Sequence, residues 1–147
     1  MPVSLMLCVL HLAMYADASA SVVRMRELAE EVERKLSGVK AIVPKLKGME
    51  RASVKTHEKY KGKYCQLTDL ARMTFNCPTA ELALALLRLL HADVRWTLVR
   101  VKDRLVPFYD AHATGGYRDM LVNARDNKNN HIVEMQVRVF HSPINHP

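Results

Sequence analysis

Residues 118–140 read RDMLVNARDNKNNHIVEMQVRVF, and this stretch decides the fold. Two strand-like runs, Arg118 to Arg125 and His131 to Phe140, flank the segment Asp126-Asn127-Lys128-Asn129-Asn130. Asn and Asp bond to nearby backbone and tolerate turn conformations, so the segment reads as a turn and the runs as an antiparallel hairpin. Alternation along the second run puts Glu134, Gln136 and Arg138 on one face and Met135, Val137 and Val139 on the other. On the first run Asp119, Leu121 and Asn123 alternate with Arg118, Met120 and Val122. A hairpin with one apolar face needs further elements to cover that face.

Upstream elements supply the cover. Val94 to Val101 is β-prone, with Trp96, Leu98 and Val99 among Arg95 and Arg100. Pro78-Thr79 opens a helix, Ala80 to His91, hydrophobic almost all round, which expects burial against a sheet. Before it, Leu67 to Leu70 reads as a short helical lead into an apolar strand, Met73 to Cys77. Glu50 to Lys61 is a polar helix carrying Arg51, Lys55, Lys59 and Lys61 and ending at Gly62. Val39 to Lys47 is short and basic, and Pro44 opposes one continuous helix there. From Ser21 to Leu36, Met25, Leu28, Ala29, Val32 and Leu36 recur at helical spacing, with a stop at Ser37-Gly38. The order of helices, strand, helix and three strands predicts an α+β (α/β) fold, a mixed β-sheet flanked by helices.

The first residues read two ways. Met1 to Ala20 is apolar to about Met14 and ends in the small-x-small triplet Ala18-Ser19-Ala20, as a secretory cleavage site does. No Lys or Arg precedes the apolar run, and His11 and Asp17 interrupt it, which favours an amphipathic or buried first helix. No run of about 18 uncharged apolar residues exists, so no transmembrane segment is expected. Residues 1–48 are therefore read as an N-terminal helical extension, with a signal-like segment at 1–20, and residues 49–147 as the core.

The 147 residues are 49% hydrophobic and 25% charged, which allows one buried core and excludes general disorder. Lys and Arg outnumber Asp and Glu by 22 to 15, a formal net charge of +7, so an anionic partner is expected. Cys8, Cys65 and Cys77 are odd in number and lack C-x-x-C spacing, against a disulfide scaffold or zinc module. Idle thiols suit a reducing, cytoplasmic compartment, while the apolar N-terminus leaves secretion or an organelle open.

Four features could carry chemistry. Glu134, Gln136 and Arg138 along one strand face suit a metal–phosphate site, and equally an exposed polar sheet face. Asp69 precedes the Met73 to Cys77 strand, where a carboxylate caps a helix or faces a metal. Carboxylates on adjacent strands would hold Mg²⁺, with phosphate oxygens completing its shell. In Thr114-Gly115-Gly116-Tyr117-Arg118-Asp119, paired glycines allow close backbone approach and present Tyr117 for stacking, with Arg118 beside it. A glycine turn anchored by a core Tyr explains that segment too. The basic helix is either a solvated face or a phosphate-contacting patch.

Four segments in order, Asp69-Leu70-Ala71-Arg72-Met73-Thr74-Phe75, Val101-Lys102-Asp103-Arg104-Leu105, Gly116-Tyr117-Arg118-Asp119 and Val133-Glu134-Met135-Gln136-Val137-Arg138, resemble the motifs of the RelA/SpoT nucleotidyltransferase domain. The resemblance spans roughly Arg51 to Arg138. It implies pyrophosphate transfer from ATP to the 3′-hydroxyl of GDP or GTP, with Mg²⁺. Asp69 and Glu134 then stand as metal-binding and catalytic residues, Glu134 activating the 3′-hydroxyl. Tyr117 would stack on guanine, and Lys102 and Arg118 would meet acceptor phosphates. Arg51, Lys55 and Arg72 would bind nucleotide.

Where the family commonly has an arginine five residues after the aspartate, this chain has Thr74. Leu121 stands where a histidine often follows the tyrosine by four. These departures mark a divergent branch. They keep open a catalytically degenerate domain binding nucleotide or RNA, or pyrophosphate transfer to another acceptor such as a tRNA end. No hydrolase motif precedes the region, so alarmone hydrolysis is not expected. A homo-oligomer is compatible with everything above.

Overall fold

The computed structural model describes residues 2–63, 67–106, 109–110, 112 and 119–140. Helix α1 spans Val3–Lys35, strand β1 Lys40–Ile42 and helix α2 Met49–Tyr60. Strand β2 is Arg72–Cys77, helix α3 Ala80–Ala92, and strands β3, β4 and β5 are Trp96–Asp103, Met120–Asp126 and Ile132–Val139. The strands form one mixed sheet in the order β1-β2-β5-β4-β3. Only the β2–β5 pair is parallel. The fold is thus α+β, as expected, and the β4–β5 hairpin closes through residues 127–130 as its turn chemistry requires.

Amphipathicity explains the layering. Met73, Phe75 and Cys77 of β2 are buried, as are Met135 and Val137 of β5 and Val122 and Ala124 of β4. Ala83, Leu86 and Leu90 of α3 and Met25, Leu28 and Val32 of α1 join them in one hydrophobic core. Leu86, Leu90, Met25, Leu28 and Val32 are each fully buried, and such side chains contribute about 2 kcal/mol apiece in transfer free energy. The Thr79 side chain accepts from the Leu82 amide at 3.2 Å and caps α3.

Helix α1 begins at Val3, so most of the leader-like segment is helical and continuous with the helix expected from Ser21. Its residues enter the common core together with Val39, and β1 pairs antiparallel with β2. Residues 1–48 therefore contribute both to core and to sheet. Gly38, at φ 94°, turns the chain from α1 into β1, a conformation open to glycine at little cost. Among the described residues no helix is long and apolar enough to cross a membrane.

Two expectations fail locally. Leu67 to Leu70 is not helical; the Lys47 amide donates to the Leu70 carbonyl at 3.1 Å, holding this segment against the lead into α2. Strand β3 starts at Trp96 instead of Val94, because the Asp93 carboxylate accepts from both the amide and guanidinium of Arg95 and keeps that segment in a turn.

Candidate active site

Directly paired residues share a sheet face, so strand register builds the site in rows. The first row is Arg72, Glu134, Asn123 and Arg100, on β2, β5, β4 and β3. The second is Thr74, Gln136, Leu121 and Lys102. Beyond them, Asn76 pairs with Arg138, while the Arg104 amide donates to the Asp119 carbonyl at 2.9 Å. This is the face opposite the core, and it is polar in every row.

Asp69 sits three residues ahead of β2 and is 7% exposed. Its Oδ2 accepts from Lys47 Nζ at 2.5 Å and from Lys55 Nζ at 2.7 Å. Its Oδ1 is buried and has no hydrogen-bond partner. Burial alone would raise the Asp69 pKa, but the two ammonium groups outweigh it and hold the carboxyl below its ordinary value. Lys55 shows the reciprocal effect: burial works against its charge, and the bond to Asp69 raises its pKa nonetheless.

Glu134 takes the opposite course. Burial raises its pKa, and the negative charge of Asp69 adds to the rise, while Lys55, Lys47 and Arg72 act against it. The two carboxyls are thus electrostatically coupled and their pKa values pushed apart, Asp69 downwards and Glu134 upwards. The Glu134 amide also donates to the Ala71 carbonyl at 3.0 Å, which fixes β5 against the segment carrying Asp69. Around Glu134, Arg72 Nε and Asn123 Nδ2 are buried without hydrogen-bond partners. Buried polar atoms are usually satisfied, so unpaired ones concentrated on one face need an explanation.

Further along the face, Gln136 Nε2 donates to Asp119 Oδ2 in a short bond, and Arg138 donates to Gln136 Oε1 at 3.0 Å. Arg104 pairs with the fully buried Asp119 at 2.5 Å.

The structure brings together Asp69, Glu134, Lys55 and Arg72. Lys102 shares their face but lies on the edge strand β3 and is exposed. Arg51 is exposed on α2, one turn from Lys55, beside a shallow surface depression that Lys55 and Lys59 also line. Tyr117 and Arg118, with Gly115 and Gly116, lie outside the described residues. Of the cysteines, Cys77 is buried, and burial raises its thiol pKa. Among the described residues no cluster of three or more His, Cys, Asp or Glu could hold a metal on its own, so a metal here would depend on ligand oxygens as well.

Lys47 was not foreseen from the sequence. It precedes the N-cap of α2, so helical periodicity gives its side chain no direction; its backbone is held by its bond to Leu70 and by the Tyr15 hydroxyl, which donates to its carbonyl at 2.8 Å. Arg104 was seen only within the motif-like segment Val101 to Leu105, with no role of its own; its pairing with Asp119 depends on the β3–β4 register.

No protein-family model and no curated protein matches the chain significantly. Several solved structures share its fold. The complex between the Type VI effector Tas1 and its immunity protein matches with a TM-score of 0.62 and 22% identity, over 86% of this chain and 59% of that one. The small alarmone synthetase 1 of Bacillus subtilis bound to its product pppGpp matches with a TM-score of 0.61 and 15% identity, over 86% and 69%. A GTP pyrophosphokinase family protein from Streptococcus pneumoniae gives 0.58 and 14%, over 86% and 66%. The chain spans less than two thirds of the Tas1 chain it matches. At these identities the likeness is one of fold.

Proposed function

We propose that the chain is a RelA/SpoT-like pyrophosphokinase, transferring pyrophosphate from ATP to the 3′-hydroxyl of GDP or GTP. The observation that carries this reading is the coupled carboxyl pair: Asp69 held beneath two lysines with its pKa lowered, Glu134 with its pKa raised, on adjoining segments at one end of the sheet. Pairs of titratable groups pushed in opposite directions characterise acid–base sites. Glu134 is suited to accept the proton of an attacking hydroxyl, because a base with a raised pKa works closer to neutral pH. Lys47 and Lys55 are placed to meet phosphate oxygens, and Arg72 adds a guanidinium on the same face.

The residues fit Mg²⁺. A hard cation takes carboxylate oxygens, and the buried Asp69 Oδ1 is an acceptor without a partner. Asp69 and Glu134 would hold the ion, which when bound would neutralise charge on the transferred group. In-line transfer otherwise requires positioning more than a protein nucleophile, and no nucleophilic side chain is needed.

One observation favours a second reading, a domain that binds nucleotide or RNA without turnover. Thr74 and Leu121, both departures from the family pattern, pair with the same residue, Gln136. Both direct neighbours of Gln136 in that row are therefore neutral, where the family commonly has an arginine and often a histidine.

Incubating the protein with Mg²⁺, labelled ATP and GDP, then separating products by anion exchange, tests the proposal; a 3′-pyrophosphorylated guanine nucleotide is expected. Calorimetric binding of a non-hydrolysable ATP analogue without any product would establish the second reading instead. Failure of both would remove the nucleotide assignment.

A further inference from the structure

On the rim of the sheet end that carries Asp69 and Glu134 lies a cavity of about 530 Å³, walled by α1, the segment after α2 and the β4–β5 turn. Its volume falls in the range of small-molecule sites, roughly 300–1,000 Å³. Leu10, Met14, Leu67 and Ile132 make its apolar walls. One side is polar and built. His131 is 9% exposed, and its Nε2 is buried with no hydrogen-bond partner. Asp17 lines the same space, and its charge acts on the His131 ring.

The polar wall is held rigidly. Asn129 Nδ2 donates to the Asp17 carbonyl at 2.9 Å, and the His131 amide donates to Asn129 Oδ1 at 3.0 Å. Asp126, at the end of β4, accepts from Ser21 Oγ at 2.7 Å and from Arg24, tying the turn to α1 a second time. Burial lowers the His131 pKa, although Asp17 and Asp126 oppose the shift, which favours the neutral imidazole. A neutral ring can give or take one hydrogen bond, and a carboxylate can take two from adjacent N–H groups.

We propose that this cavity is a ligand site for a flat heteroaromatic molecule with N–H donors along one edge, the donors facing Asp17 and a ring nitrogen meeting His131 Nε2. A phosphate or carboxylate is a poor match, since Lys63 is the sole Lys or Arg among the described lining residues and Asp17 opposes it. The site is distinct from the nucleotide face, and its failure leaves the pyrophosphokinase reading untouched. Leu67 and Ile132 stand two residues from Asp69 and Glu134, so an occupant touches both segments that carry the carboxyls.

The probe is 2-aminobenzimidazole, titrated into ¹⁵N-labelled protein. Saturable shifts are expected at the amides of Leu67, Asn129 and Ile132. Asp17→Asn and His131→Phe should each weaken binding about tenfold, the cost of one hydrogen bond at a charged or buried group. On the unaltered protein, 2-methylbenzimidazole keeps the shape but loses the exocyclic donor, and should bind about tenfold less tightly. No saturable shift, or equal affinity for both compounds, overturns the proposal, whether or not the variants fold.

Discussion

Lys55 Nζ lies 2.7 Å from Asp69 Oδ2, a contact between residues fourteen apart in the chain, and the same ammonium opposes the pKa rise of Glu134. One cation thus serves two carboxyls of opposite protonation tendency. Lys55→Met should disturb both: the Asp69 pKa rises towards its ordinary value, and the Glu134 pKa rises further. Carboxyl titration followed by ¹³C NMR checks each shift separately, and an unmoved Glu134 would refute the coupling.

Glu134→Gln separates function from stability. Its folded pKa is raised above the ordinary value of 4.5, so its contribution to stability is fully present below that value and is lost as pH rises through the folded value. The amide cannot ionise, so at neutral pH the variant should melt no lower than the parent, and its advantage should vanish in acid. Transferase activity should fall by about 10²–10⁴, the usual worth of a general base. Melting curves across pH with parallel product assays check both, and a variant that keeps full turnover removes Glu134 from the chemistry.

Asp69→Asn carries the opposite sign. The folded pKa of Asp69 is lowered, so its stabilisation is present above the ordinary value of 3.8 and is lost as pH falls through the folded one. With the charge gone, Lys47 and Lys55 are left partly buried beside each other. A loss of about 1–3 kcal/mol in urea unfolding is expected near neutral pH, less in acid. If Mg²⁺ protects the parent against unfolding, that protection should disappear in the variant.

At the β4–β5 turn, the fully buried Asp126 accepts from Ser21, Arg24 and the Lys128 amide, and these partners hold its pKa low against burial. This cluster locks α1 to the β4–β5 turn. Arg24→Met leaves a buried carboxylate poorly compensated, and about 3 kcal/mol of destabilisation is expected. Asp126→Asn in the Arg24→Met background should recover part of it, which a double-mutant cycle measures.

The sequence made legible what repeats at a fixed period. Alternation gave β5 and its partner β4, an apolar run gave β2, the Asp/Asn run gave the hairpin, and the 3.6-residue spacing of Met25, Leu28 and Val32 gave the buried stripe of α1. Strand β1 escaped because three residues cannot display alternation, and the adjacent Pro44 argued only against a helix. The 67–70 segment misled because its composition suits a helix, while its backbone is held by Lys47, 23 positions earlier. Asp69 and Glu134 could be singled out one by one, but their coupling follows from the parallel β2–β5 register, which no local pattern encodes. Lys47 had no local signal at all.

The two neutral positions beside Gln136 give the sharpest test of catalytic competence. Thr74 and Leu121 are both partly exposed, on the polar face, and directly opposite Gln136 from either side. Neither contributes to the buried core, so Thr74→Arg with Leu121→His should fold with little change in melting temperature. The Thr74 hydroxyl lies 3.4 Å from Gln136 Oε1, a long contact whose loss costs little. If the chain is a divergent synthetase, restoring donors at both places should raise turnover by about tenfold or more, since one positioned donor at developing charge is commonly worth 10²–10³. If it only binds nucleotide, affinity should rise while turnover stays absent. Measuring both on the same preparation separates the two readings, because added cations act on binding in either case but on the chemical step only when Glu134 and Asp69 are working.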